Sequence, residues 1–454
     1  MAKLNLISIP LFMVLSGCIS LAPKNSDPNI STVPQYLSQS EDHTSIDLSD
    51  IGWKRYFKDE QLISLVEVTL ANNTDIRLAT LKTLESYKQY GVAQSSRYPQ
   101  VDGQTSIQYA GQNRDETSKN YNIGASFSFE IDLFGRLKSL SQSQFEAYLA
   151  TEEAQRNVYL LLVSQVAQAY FNEQIIVQKI ATADKQMENY QQALALIESR
   201  LISGESTYLD YEQARGMLES IKVSRVELLQ EQQLAHHTLQ NLVNRYDLTV
   251  EPVTDLNLIN VAIPSNLPST VLLKRPDIQQ AEHQLKASNA DIGVARAAFF
   301  PSISLTGGIS NASTELSDLL SGATLWDLAP KISLPIFKGG QNKFNLDIAN
   351  LRQQQSAITY EKTLQAAFKE VADLLTLQQS YRQQKLLQEQ YLSTQQNALS
   401  LSQQGYLSGS ASYLDILDAQ RNVFTTELTL LTLTQNTLAN QVNLFVALGG
   451  GWKE

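Results

Sequence analysis

The sequence predicts a duplicated, mainly α-helical chain whose four β-strands belong in a transmembrane barrel shared by several copies. Three observations predict it. The same ordered landmarks recur about 205 residues apart, two stretches of roughly 65 residues contain neither Gly nor Pro, and four segments alternate apolar with polar side chains.

Composition narrows the class first. The chain has 454 residues, only 12 of them Pro, and long tracts of Gln, Leu, Ala and Ser that favour helix. A net charge of −11 with no Lys/Arg-rich run argues against a nucleic-acid surface, which needs a basic patch for phosphates.

The N-terminus reads as an export signal. Lys3 supplies the positive start, and the apolar run from Leu4 to Leu15 is shorter than the roughly 20 residues that span a bilayer. It ends in Leu15-Ser16-Gly17-Cys18, which resembles the lipobox of bacterial lipoproteins. Cleavage before Cys18 and acylation of that residue would then anchor the chain. An ordinary secretory signal with an incidental cysteine would share the first two features. Cys18 is the only cysteine, so it has no internal disulfide partner. Several acyl chains, each contributing about 0.8 kcal/mol per buried CH₂, would give a stable anchor. Ile19, rather than Asp, follows it, as in lipoproteins sorted to the outer membrane. The stretch from Ser20 to Ser49 is rich in Ser, Asn, Asp and Pro and reads as a tether.

The duplication rests on matched landmarks. Ile202-Ser203-Gly204 with Tyr208-Leu209-Asp210 recurs as Leu407-Ser408-Gly409 with Tyr413-Leu414-Asp415. Tyr98-Pro99 matches Phe300-Pro301, Leu133-Phe134-Gly135 matches Ile336-Phe337 before Gly339, and Asp75-Ile76 matches Asp277-Ile278. Each copy predicts a helix, two strands, a very long helix, a Ser-Gly turn and a returning helix. The breaker-free stretches would each run roughly 100 Å at 1.5 Å per residue. Val163, Val166, Ala167, Tyr170 and Val177 suggest a narrow coiled-coil seam.

The strands follow from period two. Tyr121, Ile123, Ala125, Phe127, Phe129 and Ile131 alternate with Asn122, Ser126, Ser128, Glu130 and Asp132. Ile303, Leu305 and Ile309 alternate with Ser302, Ser304, Thr306 and Ser310. The fourth segment is predicted from Trp326 to Ile336, and the first, from Val101 to about Gln112, is weaker. A half-buried soluble sheet alternates in the same way; the export signal tilts the reading toward a barrel. Four strands cannot close, and open edges cannot face lipid. Two chains would give eight strands and three would give twelve; periodicity does not choose.

The assembled motifs resemble the TolC-like outer-membrane efflux factors, in the lipoprotein (NodT/OprM-like) branch that serves resistance-nodulation-division pumps. The resemblance is carried by the Cys18 region, Leu273-Lys274-Arg275-Pro276-Asp277-Ile278, Ala295-Arg296, Phe300-Pro301-Ser302-Ile303-Ser304-Leu305, Leu417-Asp418-Ala419-Gln420-Arg421 and Gly449-Gly450-Gly451-Trp452. Lys274 stands where that family usually has a second Arg. The resemblance implies a homotrimer, with a twelve-stranded β-barrel continuing into a long α-helical coiled-coil barrel in the periplasm. It implies partners too: outer-membrane lipid, a periplasmic adaptor (membrane fusion) protein and a proton-driven inner-membrane pump. The channel would be a passive exit for drugs or other small solutes, not an enzyme, with no cofactor beyond the lipid on Cys18.

The expected layout is a signal peptide at 1–17 and a lipidated tether and equatorial segment at 18–60. Repeat 1 follows at 61–250, a linker at 251–268, repeat 2 at 269–448 and a tail at 449–454. Ile202, Ser203, Gly204, Leu407, Ser408 and Gly409 are the expected adaptor-contact tips, where Gly also serves as a helix C-cap. Thr207 and Ser412 precede Asp210 and Asp415 with capping-box spacing. The resemblance makes Asp418, with Leu414, Arg421 and Asp415, the candidate periplasmic gate. Asp418 corresponds to Gln213 in the first repeat, so the shared fold does not require its charge. Three such carboxylates in a trimer would attract cations; a bland intrahelical pair with Arg421 is the competing account.

No catalytic constellation stands out. His236 and His237 point to different helix faces without a ligand-spaced partner, which favours a solvated face over a metal site. Glu130 and Asp132 are expected to line the lower barrel, and Asp75 and Asp277 to serve helix starts. Only 4 Met residues argue weakly against copper handling, although a passive duct need not bind metal. The runner-up function is the outer-membrane duct of a type I protein secretion system, which has the same fold. A poreless coiled-coil scaffold and a lipid-tethered cell-wall hydrolase fit less well.

Overall fold

The computed structural model describes residues 21–23, 51–111, 117–259, 269–321 and 323–451. The export segment 1–17, Cys18, most of the tether, residues 260–268 of the linker and Trp452 lie outside them. In order come α1 (Trp53–Tyr56), α2 (Glu60–Asn72), α3 (Thr74–Ser95), β1 (Gln100–Gly111), β2 (Thr117–Ile131), α4 (Arg136–Ile202) and α5 (Tyr208–Val243). A 3₁₀ turn (Ser269–Lys274) leads to α6 (Pro276–Ala297), β3 (Ser302–Ser313), β4 (Thr324–Ser333), α7 (Gln341–Ser408) and α8 (Tyr413–Ala447). Helix, strand pair, long helix and returning helix therefore occur twice. The long helices have 67 and 68 residues, as their lack of internal Pro allows.

Contacts gather the chain into two compact units, and both draw on both halves of the sequence. One takes its described residues from Met1–Ile30, Leu81–Glu153 and Gln279–Thr363; the other from Ser31–Thr80, Ala154–Ile278 and Leu364–Glu454.

The first unit contains a four-stranded antiparallel sheet in the order β1-β2-β3-β4, so β2 and β3 join the two repeats. Its register sorts the side chains by face. Val101, Phe127, Gly307 and Leu328 form one cross-strand row, and Ala125, Ile309 and Trp326 share the next row on that face. The opposite face carries rows such as Asp102, Ser126, Gly308 and Asp327. One face is apolar and the other polar. Trp326 is nevertheless 78% exposed, so the described residues leave it uncovered on the apolar side. Gly307 makes room for an aromatic ring: a β-carbon there would sit 2.5 Å from the Phe127 side chain. Strand β4 ends at Ser333, short of the expected Ile336. Pro335 has no N–H for the ladder, so Leu334 and Ile336 fall beyond it.

The sheet is tied to its helices by local charge. Arg136, opening α4, donates twice to Glu130 at 2.9 and 2.7 Å, and Asp132 accepts from the Lys138 amide at 2.7 Å. These two carboxylates, expected to line the lower barrel, make these bonds at the strand-to-helix junction.

The second unit has its densest core around residues 160–176 of α4. Val163, Val166, Ala167 and Tyr170 are buried as expected, but so are Leu160, Leu162, Phe171, Ile175 and Ile176. The apolar surface here is broad, not a narrow seam, because chain segments outside the hairpins pack beside it. Trp53 donates to the Tyr159 hydroxyl at 2.8 Å, and Tyr56 stacks on Phe445 at 3.8 Å between ring centroids. The end of the chain joins in, with the Gly451 amide donating to the Ile51 carbonyl.

Equivalent residues of the two repeats fasten the returning helices. Asn73 donates to the Leu242 carbonyl at 2.8 Å; its counterpart Arg275 donates to the Ala447 carbonyl, also at 2.8 Å. Both satisfy a carbonyl that a helix C-terminus would otherwise leave unpaired. Arg275 additionally clasps Asp277 through two bonds of 3.0 and 2.8 Å and lies 2.8 Å from Glu370.

Candidate functional site

The two hairpin tips, both in the second unit, are built by the same backbone motif. Gly204 has φ +78° and Gly409 has φ +79°, a left-handed conformation that favours glycine. At the first tip the Gly204 amide donates to the Leu201 carbonyl and the Glu205 amide to the Arg200 carbonyl. At the second, Gly409 donates to Tyr406 and Ser410 to Gly405. This crossed pair is the Schellman closure of a helix C-terminus. The returning helices then open with capping boxes. Thr207 and Ser412 accept from the amides of Asp210 and Asp415, whose carboxylates accept from the Thr207 and Ser412 amides at 3.1 and 2.8 Å. These bonds to Ser412 hold the Asp415 carboxyl below its ordinary range.

Most of the polar capacity at the tips is thus used by backbone closure, leaving apolar side chains outward. Ile202 is 84% and Leu407 70% exposed, with Ser203, Gly204, Ser408 and Gly409 exposed beside them. Behind the tips, Ile197, Ala214, Tyr413, Ile416 and Leu417 form a core that draws on both hairpins. Arg200 lies over the Tyr406 ring at 5.0 Å. The Tyr413 hydroxyl is buried without a hydrogen-bond partner. Burial, with Tyr406, Tyr190 and Asp210 adding to it, pushes this phenol up to about 12.

Helix α8 presents the gate candidates on its open side. Leu414, Asp418 and Arg421 are exposed, whereas Ile416, Leu417, Ala419 and Gln420 are buried. Spacings of four and three residues align the three exposed side chains in one stripe. Asp418 accepts from Arg421 at 2.7 Å, so the intrahelical pair is present. Asp415 is exposed beside the stripe but committed to its cap.

Two pairs of a buried glutamate with a half-buried histidine were not legible in the sequence. His236 lies 2.9 Å from Glu173, so this histidine is not simply on a solvated face. Burial raises the Glu173 carboxyl despite the bond to His236, and its second oxygen has no partner. His283 lies 2.7 Å from Glu146. Burial pushes the Glu146 carboxyl up, but His283, Gln142 and Lys286 together bring it below the ordinary range. Separations of 63 and 137 residues leave no spacing signal for either pair. Among the described residues no cluster of His, Cys, Asp and Glu is arranged to hold a metal ion, and no helix is long and apolar enough to cross a membrane.

The sequence profile described as "Outer membrane efflux protein" matches residues 65–245 and again 267–450. The chain belongs to the outer membrane efflux protein family. Among similar relatives, the cation efflux system protein CusC of Escherichia coli K12 is 43% identical over 99% of this chain and 100% of its own. The probable outer membrane lipoprotein SilC of Salmonella typhimurium is 42% identical over 100% of both chains. The solvent efflux pump outer membrane protein SrpC of Pseudomonas putida is 37% identical over 98% of both. A crystal structure of CusC superposes with a TM-score of 0.89 at 44% identity, covering 95% of this chain and 100% of that one. The open-state channel MtrE of Neisseria gonorrhoeae gives 0.89 at 32% identity, covering 96% and 99%.

This outer membrane efflux protein therefore has the fold expected from its motifs, mostly helical with a small sheet. It is an outer-membrane channel subunit of a tripartite efflux pump, and its family is one of ducts. The relatives are efflux proteins, which answers the choice between solute efflux and a protein-secretion duct in favour of efflux.

Proposed function

We propose that three copies of this chain close a twelve-stranded barrel through the outer membrane, continued by a coiled-coil helical tunnel into the periplasm. The observation that carries this reading is the sheet: one apolar face, one polar face, and edges β1 and β4 without a partner strand among the described residues. A lipid-facing sheet cannot leave edge N–H and C=O groups unpaired, so neighbouring copies must supply the partners. The apolar rows face lipid and the polar rows line water. Acyl chains on Cys18 add a separate anchor.

In this reading the exposed tips at Ile202 and Leu407 meet the hairpins of a periplasmic adaptor, which links the duct to a resistance-nodulation-division pump. The stripe Leu414, Asp418 and Arg421 narrows the periplasmic end, and Asp415 holds the helix start that carries it. The passage runs without chemistry, metal or cofactor in this chain. The exported solutes are cations, because the CusC relatives named for cation efflux are 43% identical along essentially the whole chain, against 37% for the relatives named for solvent and toluene efflux.

The purified protein in planar bilayers tests the channel reading, with expected ion-conducting openings from a complex of three chains by mass. A non-conducting complex, or a monomer, overturns it. Cation tolerance restored in a Gram-negative host lacking its own duct tests the cargo; restored solvent tolerance alone would assign the duct to organic solutes.

A further inference from the structure

We infer that Gly293 and Arg296 of α6 form a docking site for the chain segment just after Cys18, placing the acyl anchor on a short leash beside the base of strand β3. The inference rests on the lipidation of Cys18 proposed above. Its structural part involves only described residues of the first unit.

Leu21, Ala22 and Pro23 are half-buried against the body of that unit. Arg296 donates to the Leu21 carbonyl at 3.0 Å. A β-carbon at Gly293 would lie 3.0 Å from the Ala22 amide nitrogen, 3.1 Å from the Ala22 β-carbon and 2.6 Å from the Ser139 hydroxyl. Glycine in a helix interior costs about 1 kcal/mol relative to alanine, and Gly293 is not among the residues with positive φ. Its missing side chain makes room for the Ser139 hydroxyl and for Ala22; the hydroxyl could rotate aside, but the Ala22 backbone nitrogen could give way only by moving the tail. On the other side of that contact the Ser139 hydroxyl is buried with no partner.

The duplication provides an internal control. Gly293 corresponds to Gly91, where a β-carbon would meet nothing within 4 Å among the described residues. Arg296 corresponds to Gln94. The same helical groove thus exists in both repeats, but among the described residues only the second has chain laid against its glycine, and only the second carries an arginine to bind it.

Position gives the site its consequence. Helix α6 ends at Ala297, and β3 begins at Ser302, so Gly293 stands one helical turn, about 6 Å, from the end of the helix that feeds the sheet. The three residues from Leu21 back to Cys18 can span no more than about 11 Å. Docking therefore holds the lipid close to the strand base, and does so ahead of the long polar stretch to Ser49. The anchor is positioned by the fold, not merely attached to it.

The test places one reporter, Ala22→Cys, in the full chain. Cys18 is the only native cysteine, so once it is acylated the introduced thiol is the only free one. A maleimide added to cell envelopes should label it slowly. Gly293→Ala, whose added β-carbon meets Ala22, and Arg296→Gln should each raise the labelling rate several-fold. Equal labelling in all three backgrounds overturns docking. A second variant, Ala22→Trp, changes only the tail and cannot unfold the body. It should slow formation of heat-resistant oligomers several-fold while incorporation of labelled fatty acid stays unchanged. Assembly at the native rate overturns the leash. Fatty-acid incorporation also reads the underlying assumption: none in the native chain removes the lipid and hence the leash, whereas the maleimide rates at Ala22→Cys still decide docking.

Discussion

Replacing Asp418 with Ala separates a gating role from a merely structural one, because the structure sets the structural cost low. The partner of the carboxylate is Arg421 at 2.7 Å, and the two side chains are 56% and 61% exposed. An exposed pair at this helical spacing is worth about 0.2–0.5 kcal/mol. Ala also forms helix more readily than Asp, by up to about 0.7 kcal/mol. The two effects oppose each other, so net stability should move by less than about 0.5 kcal/mol. With a urea slope of at least about 1 kcal/mol/M, the midpoint should shift by less than about 0.5 M. Conduction should change far more. In a complex of three chains the substitution removes three carboxylates from the stripe and leaves three unneutralised Arg421 side chains. Single-channel conductance in planar bilayers should rise, and the reversal potential in a salt gradient should move away from cation preference. Arg421→Ala should move it the other way. A stable Asp418→Ala channel with native conductance and native ion preference would refute the gating assignment.

Other expectations follow from the fasteners and the buried acids. Arg275→Ala should destabilise by about 3 kcal/mol, since it strands Asp277, Glu370 and a helix-end carbonyl, whereas Asn73→Ala should cost about 1–2 kcal/mol; urea midpoints read by circular dichroism compare them. Tyr413→Phe removes a buried, unpaired hydroxyl and should stabilise by about 1 kcal/mol in the same assay. The two buried glutamates should respond to pH with opposite signs. Glu146 is depressed in the fold, so its contribution is present above the ordinary carboxylate range and lost as pH falls through its folded value. Glu173 is raised, so its ionisation costs stability as pH climbs from the ordinary range through its folded value. Relative to the native chain, Glu146→Gln should therefore fare worse, and Glu173→Gln better, as pH rises from acid toward neutral. Ile202→Asp with Leu407→Asp should abolish cross-linking to the adaptor in cells while bilayer conductance persists; retained cross-linking would remove the tips from that interface.

Local rules made much of this chain legible. Gly at each tip, Thr207 or Ser412 before each returning helix, and strict alternation through Phe127 and Phe129 are short-range signals that backbone geometry enforces. The breaker-free stretches likewise became single helices. Signals of long range were not legible. Glu146 meets His283 and Glu173 meets His236 only because helices distant in sequence pack together. The breadth of the core around Tyr170 depends on Trp53 and Tyr56 arriving from outside both hairpins, and on Phe445 at the far end of α8. At β4 the alternation continued through Leu334 and Ile336, but Pro335 could not continue the ladder.

The duplicated architecture turns these details into a method for separating scaffold from function. Where both repeats keep one residue type and one geometry, as at Gly204 and Gly409 or Asp210 and Asp415, folding alone accounts for the residue. Where they keep the geometry but change the chemistry, something outside the repeat must account for the difference. Asn73 and Arg275 both hold a helix-end carbonyl at 2.8 Å, but only the arginine gathers Asp277 and Glu370. Gly91 and Gly293 both leave a groove open, but beside it the first repeat has Gln94 and the second Arg296, which holds the Leu21 carbonyl. Gln213 and Asp418 occupy equivalent turns, but only the aspartate joins an exposed charged stripe. All three departures put added charge in the second repeat. A swap tests the logic directly: Gln213→Asp with Asp418→Gln conserves net charge and moves the carboxylate to the first repeat. If the carboxylate acts by its place in the second repeat, the swapped channel should conduct like Asp418→Ala; native conductance would show that either repeat can carry the gate.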